Sequence, residues 1–192
     1  MAVKLITTWG SIKEIATIAN LSYGGTTNYT AGKAKILVEK LVKLGHTSVL
    51  EFGGATFFVK APIYTARQWM RHRHFSYLEQ SGRYTEFGED RISDNLPADI
   101  KQELSDQLDT YYKLLRYYNK EDARQVLGTG FLTNFYVSGN LRSWLHFLQL
   151  RLDKKAQKDI RENAEQILQI LNQTFDEIFS EELLVCSLSN TY

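Results

Sequence analysis

Apolar residues recur along this chain at spacings that predict mostly helices and a few short strands. Spacings of three and four residues indicate helices, whereas short runs rich in aromatic and β-branched residues indicate strands. The predicted helices are 11–20, 31–44, 63–73, 99–118, 121–127, 140–152 and 155–179, and the predicted strands are 3–8 and 55–60. This pattern predicts an α+β fold, a helix-rich single domain over residues 1–192 with a small mixed or antiparallel sheet.

Several helix ends and faces can be predicted from particular residues. Ser11 and Glu14 are three apart at the start of the first helix and predict a capping box, and Gly45 predicts the end of the second. Residues 75–94 are polar and predict a loop with a short strand at most. Apolar faces are predicted on three helices: Ile36, Leu37, Leu41 and Leu44 on 31–44, Leu104, Leu108, Tyr111, Leu115 and Tyr118 on 99–118, and Ile160, Ala164, Ile167 and Leu171 on the last.

Composition narrows the functional classes. The chain has 192 residues, of which 43% are hydrophobic and 23% are charged, and this argues against disorder. Its net charge of +1 gives no overall field that would recruit nucleic acid or an anionic membrane. There is no run long enough to span a bilayer, and the first residues lack the layout of a signal peptide. We therefore expect a cytoplasmic protein with neither a membrane nor a nucleic-acid partner.

Cysteine and histidine placement argues against a disulfide framework and against a metal centre. Cys186 is the only cysteine and has no histidine near it in sequence, so a small semi-buried residue is favoured over a nucleophile. His72 and His74 are two apart, and no paired-histidine or paired-cysteine metal motif occurs. No Walker loop, nucleophile elbow or glycine-rich dinucleotide motif is present, so a bound flavin would not be held by a Rossmann fold.

A basic segment interleaved with aromatic residues is the first candidate for chemistry. Four arginines lie in it, Arg67, Arg71, Arg73 and Arg83, with two histidines among them. If the helix runs to residue 73, Gln68 and Arg71 share one face and Arg73 points elsewhere. Guanidinium groups suit phosphate because they donate two parallel hydrogen bonds at full charge. A solvated basic face is the alternative interpretation.

A second basic cluster lies on the helix predicted from residue 140. Arg142 and His146 are four apart and share a face, whereas Arg151 lies half a turn away from Arg142. Cations on opposite sides of one helix indicate a helix packed between two ligand regions or at a subunit interface. An amphipathic helix with cationic side chains reaching outward at its ends is the alternative.

Taken together, these clusters resemble the flavin-dependent thymidylate synthases. The signature segment is Arg71-His72-Arg73-His74-Phe75-Ser76-Tyr77-Leu78-Glu79-Gln80-Ser81-Gly82-Arg83-Tyr84. Upstream, Gly45-His46-Thr47-Ser48-Val49-Leu50-Glu51 resembles a second family segment. Downstream, 123–127, 140–153 and Ala156-Gln157 also match, so the similarity covers nearly the whole chain.

The resemblance implies an activity and an assembly. Members convert dUMP to dTMP with methylenetetrahydrofolate as carbon donor and NADPH-reduced FAD as hydride source, without a cysteine nucleophile. They are homotetramers with active sites between subunits, which would account for a helix with cations on two sides. By the same resemblance, Arg151 is the catalytic residue, because a fixed cation beside uracil N3 stabilises the N3 anion and activates C5.

The resemblance also assigns binding residues by position. The implied FAD contacts are Ser48, Arg71, His72, Arg73, Glu79, Asn140, Leu141, Arg142 and His146. The implied dUMP contacts are Gln68, Arg71, Glu79, Gln80, Ser81, Gly82, Arg83, Arg124 and Arg151. No metal is implied.

Some positions depart from the family pattern and leave other functions open. Leu78 stands in place of a common Asn, Phe52 in place of a His, and Gly128 in place of a Pro, and the segment 85–120 is short. These departures bear on folate and NADPH access. The alternatives are a flavin- and folate-dependent dUMP hydroxymethylase, a nucleic-acid binding module, and a scaffold with only an interaction role.

Overall fold

A four-stranded antiparallel sheet organises the protein. The computed structural model describes residues 2–25, 28–175, 178–179 and 184, so Cys186 lies outside the described part. The strands are β1 (Ala2–Trp9), β2 (Gly54–Pro62), β3 (Ser76–Glu79) and β4 (Leu132–Asn140), in the order β1-β2-β4-β3. The predicted α+β class is confirmed, and all strand pairs described are antiparallel.

Strand β4 lies inside the sheet and was not predicted from the sequence. It pairs with β2 over nine consecutive positions, from Gly54 opposite Asn140 to Pro62 opposite Leu132. Its side chains alternate, with Phe135 and Val137 buried in the core while Tyr136 on the other face is exposed. Polar residues such as Thr133 and Asn134 interrupt the apolar pattern, and this interruption hides the strand from a search for apolar runs.

Seven α-helices surround the sheet in the described part of the chain. They are α1 (Ile12–Asn20), α2 (Ala31–Lys43), α3 (Ile63–Trp69), α4 (Ala98–Leu114), α5 (Lys120–Ala123), α6 (Leu141–Arg151) and α7 (Lys158–Thr174). Short 3-10 helices span Leu21–Tyr23, Thr47–Phe52, Glu89–Arg91 and Arg124–Val126. The capping box of α1 is confirmed, because the Glu14 N–H donates to Ser11 Oγ and the Ser11 N–H donates to the Glu14 carboxylate.

Several predicted helix bounds were too long. Helix α3 ends at Trp69 rather than at residue 73, α4 ends at Leu114 rather than at 118, and α7 begins at Lys158 rather than at 155. The predicted helix 121–127 is a single α-turn, α5, followed by a 3-10 turn. In each case turns follow or precede the helix, so apolar spacing alone overestimated its length.

The predicted apolar face of α2 was wrong in part, since Leu37 packs against the core but Ile36 and Leu44 do not. The residues that pack inward are Ala34, Val38 and Val42, whereas Ile36 is 67% exposed and Leu44 is 59% exposed. The small and β-branched side chains allow α2 to lie close to α1. The stripe predicted for α7 is confirmed, since Ile160, Ala164, Ile167 and Leu171 are all buried.

Two hydrophobic clusters form the interior. The main one joins one face of the sheet to α1, α2, α6 and α7, and includes Trp69, Trp144 and Phe147. The second contains Phe87, Tyr111 and Phe131 and packs α4 against the loop after β3. None of the helices in the ranges described above is long and apolar enough to cross a membrane.

Candidate active site

The turn that follows α3 carries the Arg71-His72-Arg73 segment. The helix stops at Trp69, and the backbone N–H of His72 donates to the Trp69 carbonyl at 2.9 Å. The Tyr77 hydroxyl donates to the same carbonyl at 2.5 Å and lies 3.2 Å from the His72 carbonyl, which holds the turn against β3. Arg71 therefore lies in a turn and not on a helical face shared with Gln68. Arg71 and Arg73 are both exposed.

His72, Arg151 and Gln68 come together beneath this turn. Arg151 Nε donates to His72 Nε2 at 2.9 Å, and Arg151 Nη2 donates to the Gln68 carbonyl at 3.4 Å. His72 is only 8% exposed, and its ring packs edge-on against Phe147 with centroids 5.0 Å apart. Arg151 is 79 residues from His72 and 83 from Gln68 in the sequence, and the fold brings it to both. The cluster therefore joins two predicted dUMP contacts, Gln68 and Arg151, to one predicted FAD contact, His72.

The electrostatics of this cluster keep His72 neutral and Arg151 charged. Burial, together with the charges of Arg151 and His146, lowers the pKa of His72 to about 4. A neutral imidazole can accept the Arg151 hydrogen bond, whereas an imidazolium could not. Both described acceptors of Arg151 are uncharged, so its positive charge is not cancelled by them. Arg151 is therefore a fixed cation whose charge remains available to a ligand.

Replacing His72 with glutamine is expected to flatten the acid dependence of stability. The unfolded histidine takes up a proton near its ordinary pKa of 6.5, whereas the folded one stays neutral until about pH 4. The stability that depends on neutral His72 is thus present above pH 6.5 and is lost as the pH falls towards 4. The loss should be on the order of 2–3 kcal/mol in the natural protein. Urea unfolding of both proteins between pH 7 and pH 4 measures it, and parallel pH slopes would refute a neutral buried His72.

The predicted flavin contacts on α6 lie at its N-terminus. Asn140 caps the helix, since its Oδ1 accepts from the Ser143 N–H at 2.8 Å. Leu141 is fully buried and its N–H donates to the Gly53 carbonyl at 2.8 Å, so neither the side chain nor the N–H is presented to a ligand. Arg142 is exposed and its Nη1 lies 2.6 Å from Glu51 Oε1, on the 3-10 helix that also carries Ser48.

His146 connects this end of α6 to the His72 cluster. Its ring centroid lies 6.3 Å from that of His72, and burial together with the charge of His74 lowers its pKa. Arg142 and Arg151 point to different neighbours, Glu51 and His72, as their half-turn separation predicts. The prediction of a helix with cations on two sides is therefore confirmed.

The remaining predicted residues lie at the end of β3 and in the turn after it. Glu79 Oε1 accepts from Thr133 Oγ1 at 2.7 Å, and Gln80 Oε1 accepts from Asn134 Nδ2 at 2.8 Å. Both donors lie on β4, so this strand fixes the two side chains. Thr133 and Asn134 were missed in the sequence because the strand that bears them was missed.

Gly82 brings the backbone of this turn close to Arg124. A Cβ added to Gly82 would lie 2.9 Å from the Phe87 ring and 3.4 Å from Cδ of Arg124. On the other side, Arg83 Nε lies 3.1 Å from Glu121 Oε2, in a contact that is exposed to solvent. Arg83 and Arg124 thus flank a compact glycine turn, an arrangement whose chemistry suits an anion such as phosphate.

Two further residues at the site were not predicted from the basic clusters. Tyr77 braces the turn after α3, and burial raises the pKa of its hydroxyl so that the group remains a donor at neutral pH. The amide of Gln68 donates to the side chain of Gln157, just before α7. In the sequence, only the resemblance of the segment Ala156-Gln157 to the family pattern indicated that Gln157 could lie at the site.

Comparisons with known proteins agree with this geometry. A sequence model of the family described as thymidylate synthase complementing protein matches residues 4–176. The flavin-dependent thymidylate synthase of Thermotoga neapolitana is 39% identical over 155 residues, covering 73% of this chain and 72% of that protein. The flavin-dependent thymidylate synthase of Thermus thermophilus is 33% identical over 193 residues, covering 89% and 71% respectively.

A solved structure shares the fold. The UMP/dUMP methylase PolB from Streptomyces cacaoi, bound with 5-Br dUMP, superposes with a TM-score of 0.78 at 26% identity. The match covers 91% of this chain and 91% of that one. This chain therefore shares its overall fold with an enzyme named as a nucleotide methylase.

Proposed function

The chain belongs to the flavin-dependent thymidylate synthases, and on this premise we propose that it converts dUMP to dTMP. Methylenetetrahydrofolate donates the carbon, and FAD reduced by NADPH supplies the hydride. The observation that carries the proposal is the Arg151 cation, which is held by the neutral His72 and by the Gln68 carbonyl. The names of the relatives state that these enzymes depend on a flavin. The co-substrates and the roles of individual residues are proposed.

The residues fit a flavin cofactor. Arg71 and Arg73 expose two guanidinium groups in one turn, and such groups bind a diphosphate well. At the N-terminus of α6, Arg142 adds a third guanidinium group, and the positive end of the helix dipole also stabilises an anion there. We propose that these residues, with Ser48, Glu79 and His146, hold FAD. When bound, the flavin supplies the hydride that completes the methyl group.

The nucleotide is assigned to the other cations. We propose that Arg83 and Arg124 hold the phosphate at the turn containing Gly82, because the chemistry there suits an anion. Arg151 is placed beside N3 of the uracil ring, where Gln68 lies next to it. Crystallised PolB is bound with 5-Br dUMP, and this supports a deoxyuridine nucleotide as the ligand of the shared fold.

Arg151 has a direct chemical role in this proposal. A cation beside N3 stabilises the negative charge that forms when N3 loses its proton, and the ring then carries more electron density at C5. C5 can therefore bond to the methylene carbon while that carbon's bond to the folate nitrogen breaks, so that tetrahydrofolate leaves and C5 gives up its proton. No covalent bond from the protein to C6 is needed. The only cysteine, Cys186, has no part in this scheme.

We also propose a homotetramer in which subunits share each site. Most of the predicted FAD contacts are exposed on the surface of one chain, where a second subunit could complete the site. Apolar side chains such as Ile36 and Leu44 are also exposed on α2 and would be covered by a second copy. Sedimentation of the purified protein would measure the assembly directly.

The mass of the nucleotide product tests the proposed reaction. The protein is incubated with FAD, NADPH, methylenetetrahydrofolate and dUMP. The nucleotide products are then separated and their masses are measured by mass spectrometry. Formation of dTMP coupled to NADPH oxidation is the expected result. Hydroxymethyl-dUMP as the main product would instead identify the sister activity on the same scaffold, which the departures at Leu78 and Phe52 leave open.

A further inference from the structure

Arg91 is a buried arginine that neither basic cluster includes. It lies in the 3-10 helix Glu89–Arg91, just before Ile92, and is only 3% exposed. Its guanidinium carbon lies 4.1 Å from the centre of the Phe87 ring, within the second hydrophobic cluster. Arginine is rarely buried to this extent unless it is paired, so the position needs an explanation.

Two chains of contact lead from Arg91 to the turn at residues 81–83. Arg91 Nη2 donates to Thr85 Oγ1 at 3.0 Å, and the Thr85 hydroxyl in turn donates to the Ser81 carbonyl at 2.9 Å. The Phe87 ring on which Arg91 stacks is also the nearest group to Gly82, since a Cβ added there would lie 2.9 Å from it. Arg91 thus supports both Ser81 and Gly82 from inside the protein.

The charge of Arg91 is only weakly compensated by its immediate contacts. A hydroxyl and an aromatic ring are both neutral, although they favour a nearby cation through their dipole and quadrupole. Burial lowers the pKa of Arg91, while the charges of Asp90, Tyr111 and Glu79 act in the opposite direction. An arginine remains protonated at neutral pH under such conditions. A positive charge therefore lies beneath the turn in a poorly solvated setting, where charges act over longer distances.

We propose that Arg91 is a positioning residue for the phosphate of the nucleotide substrate. It fixes the turn that contains Ser81 and Gly82, and it adds positive potential at that turn without touching the ligand. The inference rests on the proposed function, because it takes a nucleoside monophosphate as the ligand. The alternative is that Arg91 only fills space in the second hydrophobic cluster.

Binding of dUMP and of deoxyuridine separates these two roles. The two ligands differ only by the phosphate, so a role at the phosphate changes their relative affinity, whereas a role in packing lowers both alike. Calorimetry is done on the FAD-loaded protein and on its Arg91→Met and Arg91→Lys variants. Arg91→Met is expected to weaken dUMP binding about tenfold or more, with deoxyuridine changed less than about twofold. Arg91→Lys retains the charge and should lose less.

Two further variants complete the test. Arg116→Met removes an exposed cation elsewhere and should leave both affinities unchanged. Thr85→Val breaks the hydroxyl link to Ser81 while keeping Arg91, and should also weaken dUMP selectively. If Arg91→Met does not fold, the affinities of Thr85→Val for dUMP and deoxyuridine distinguish a role at the phosphate from a role in packing.

Different outcomes overturn different statements. If the natural protein binds dUMP and the Arg91 and Thr85 variants lose affinity equally for both ligands, or not at all, Arg91 has only a packing role. If the natural protein does not bind dUMP, the proposed function fails and this inference fails with it.

Discussion

Replacing Arg151 with alanine is expected to lower turnover about a hundredfold to a thousandfold, the range seen when one preorganised charge-stabilising group is removed. Arg151 is the cation that we place beside uracil N3, and its described partners, His72 and the Gln68 carbonyl, are both neutral. Without it, the N3 anion loses its stabilising charge. Bound flavin should be unaffected, because the residues assigned to FAD are retained in the variant.

Arg151→Lys is the matched control. Lysine keeps a positive charge but cannot donate to His72 and Gln68 with one planar group, so an intermediate turnover is expected. Turnover is measured as dTMP formed per flavin, and the visible spectrum of each protein reports the bound flavin. Unchanged turnover in Arg151→Ala would refute the assignment, and loss of flavin from it would move Arg151 into the cofactor site.

Replacing Trp69 with alanine is expected to cost about 3–5 kcal/mol of unfolding free energy. Trp69 is fully buried at the end of α3 and stacks on Phe147 with ring centroids 4.2 Å apart. It also meets Phe135 edge-on, so its removal leaves a cavity between α3, α6 and β4. Since the Arg71-His72-Arg73 turn begins here, the same change should loosen the site.

The control for Trp69→Ala is Tyr117→Ala, at a position that is 80% exposed. Loss of an exposed aromatic side chain should change the unfolding free energy by less than about 0.5 kcal/mol. Urea unfolding of both variants at pH 7 measures the difference. Similar small values for the two would mean that Trp69 does not anchor the core.

The sequence predicted correctly those features that depend on residues close together in the chain, such as helix caps and helix faces. The capping box of Ser11 and Glu14 marked the start of α1, and the spacing of Ile160, Ala164, Ile167 and Leu171 marked the buried face of α7. Strand β4 was missed, because its place in the sheet depends on pairing with β2 rather than on its own composition. The apolar face of α2 was misjudged, since Ile36 is more hydrophobic than Ala34 yet lies outside.

The candidate site was predicted in its residue types but not in its arrangement. The basic clusters and the motif identified Arg151 and His72, yet nothing in the spacing showed that they would form a hydrogen bond. The predicted helix ran to residue 73 and placed Arg71 on the same face as Gln68. Because α3 ends at Trp69, Arg71 lies in the following turn instead. Arg91 is unusual because it is buried. It was overlooked because the sequence of a polar loop does not show which of its arginines will be buried.

A single-turnover reaction shows whether the flavin bound to this protein methylates dUMP with the folate. The protein is loaded with FAD, freed of excess flavin, reduced without oxygen, and then mixed with dUMP and methylenetetrahydrofolate while the flavin absorbance is recorded. We expect the flavin to be retained and to become oxidised, with about one dTMP formed per flavin. Failure to retain flavin, or oxidation that yields no methylated nucleotide, would contradict it.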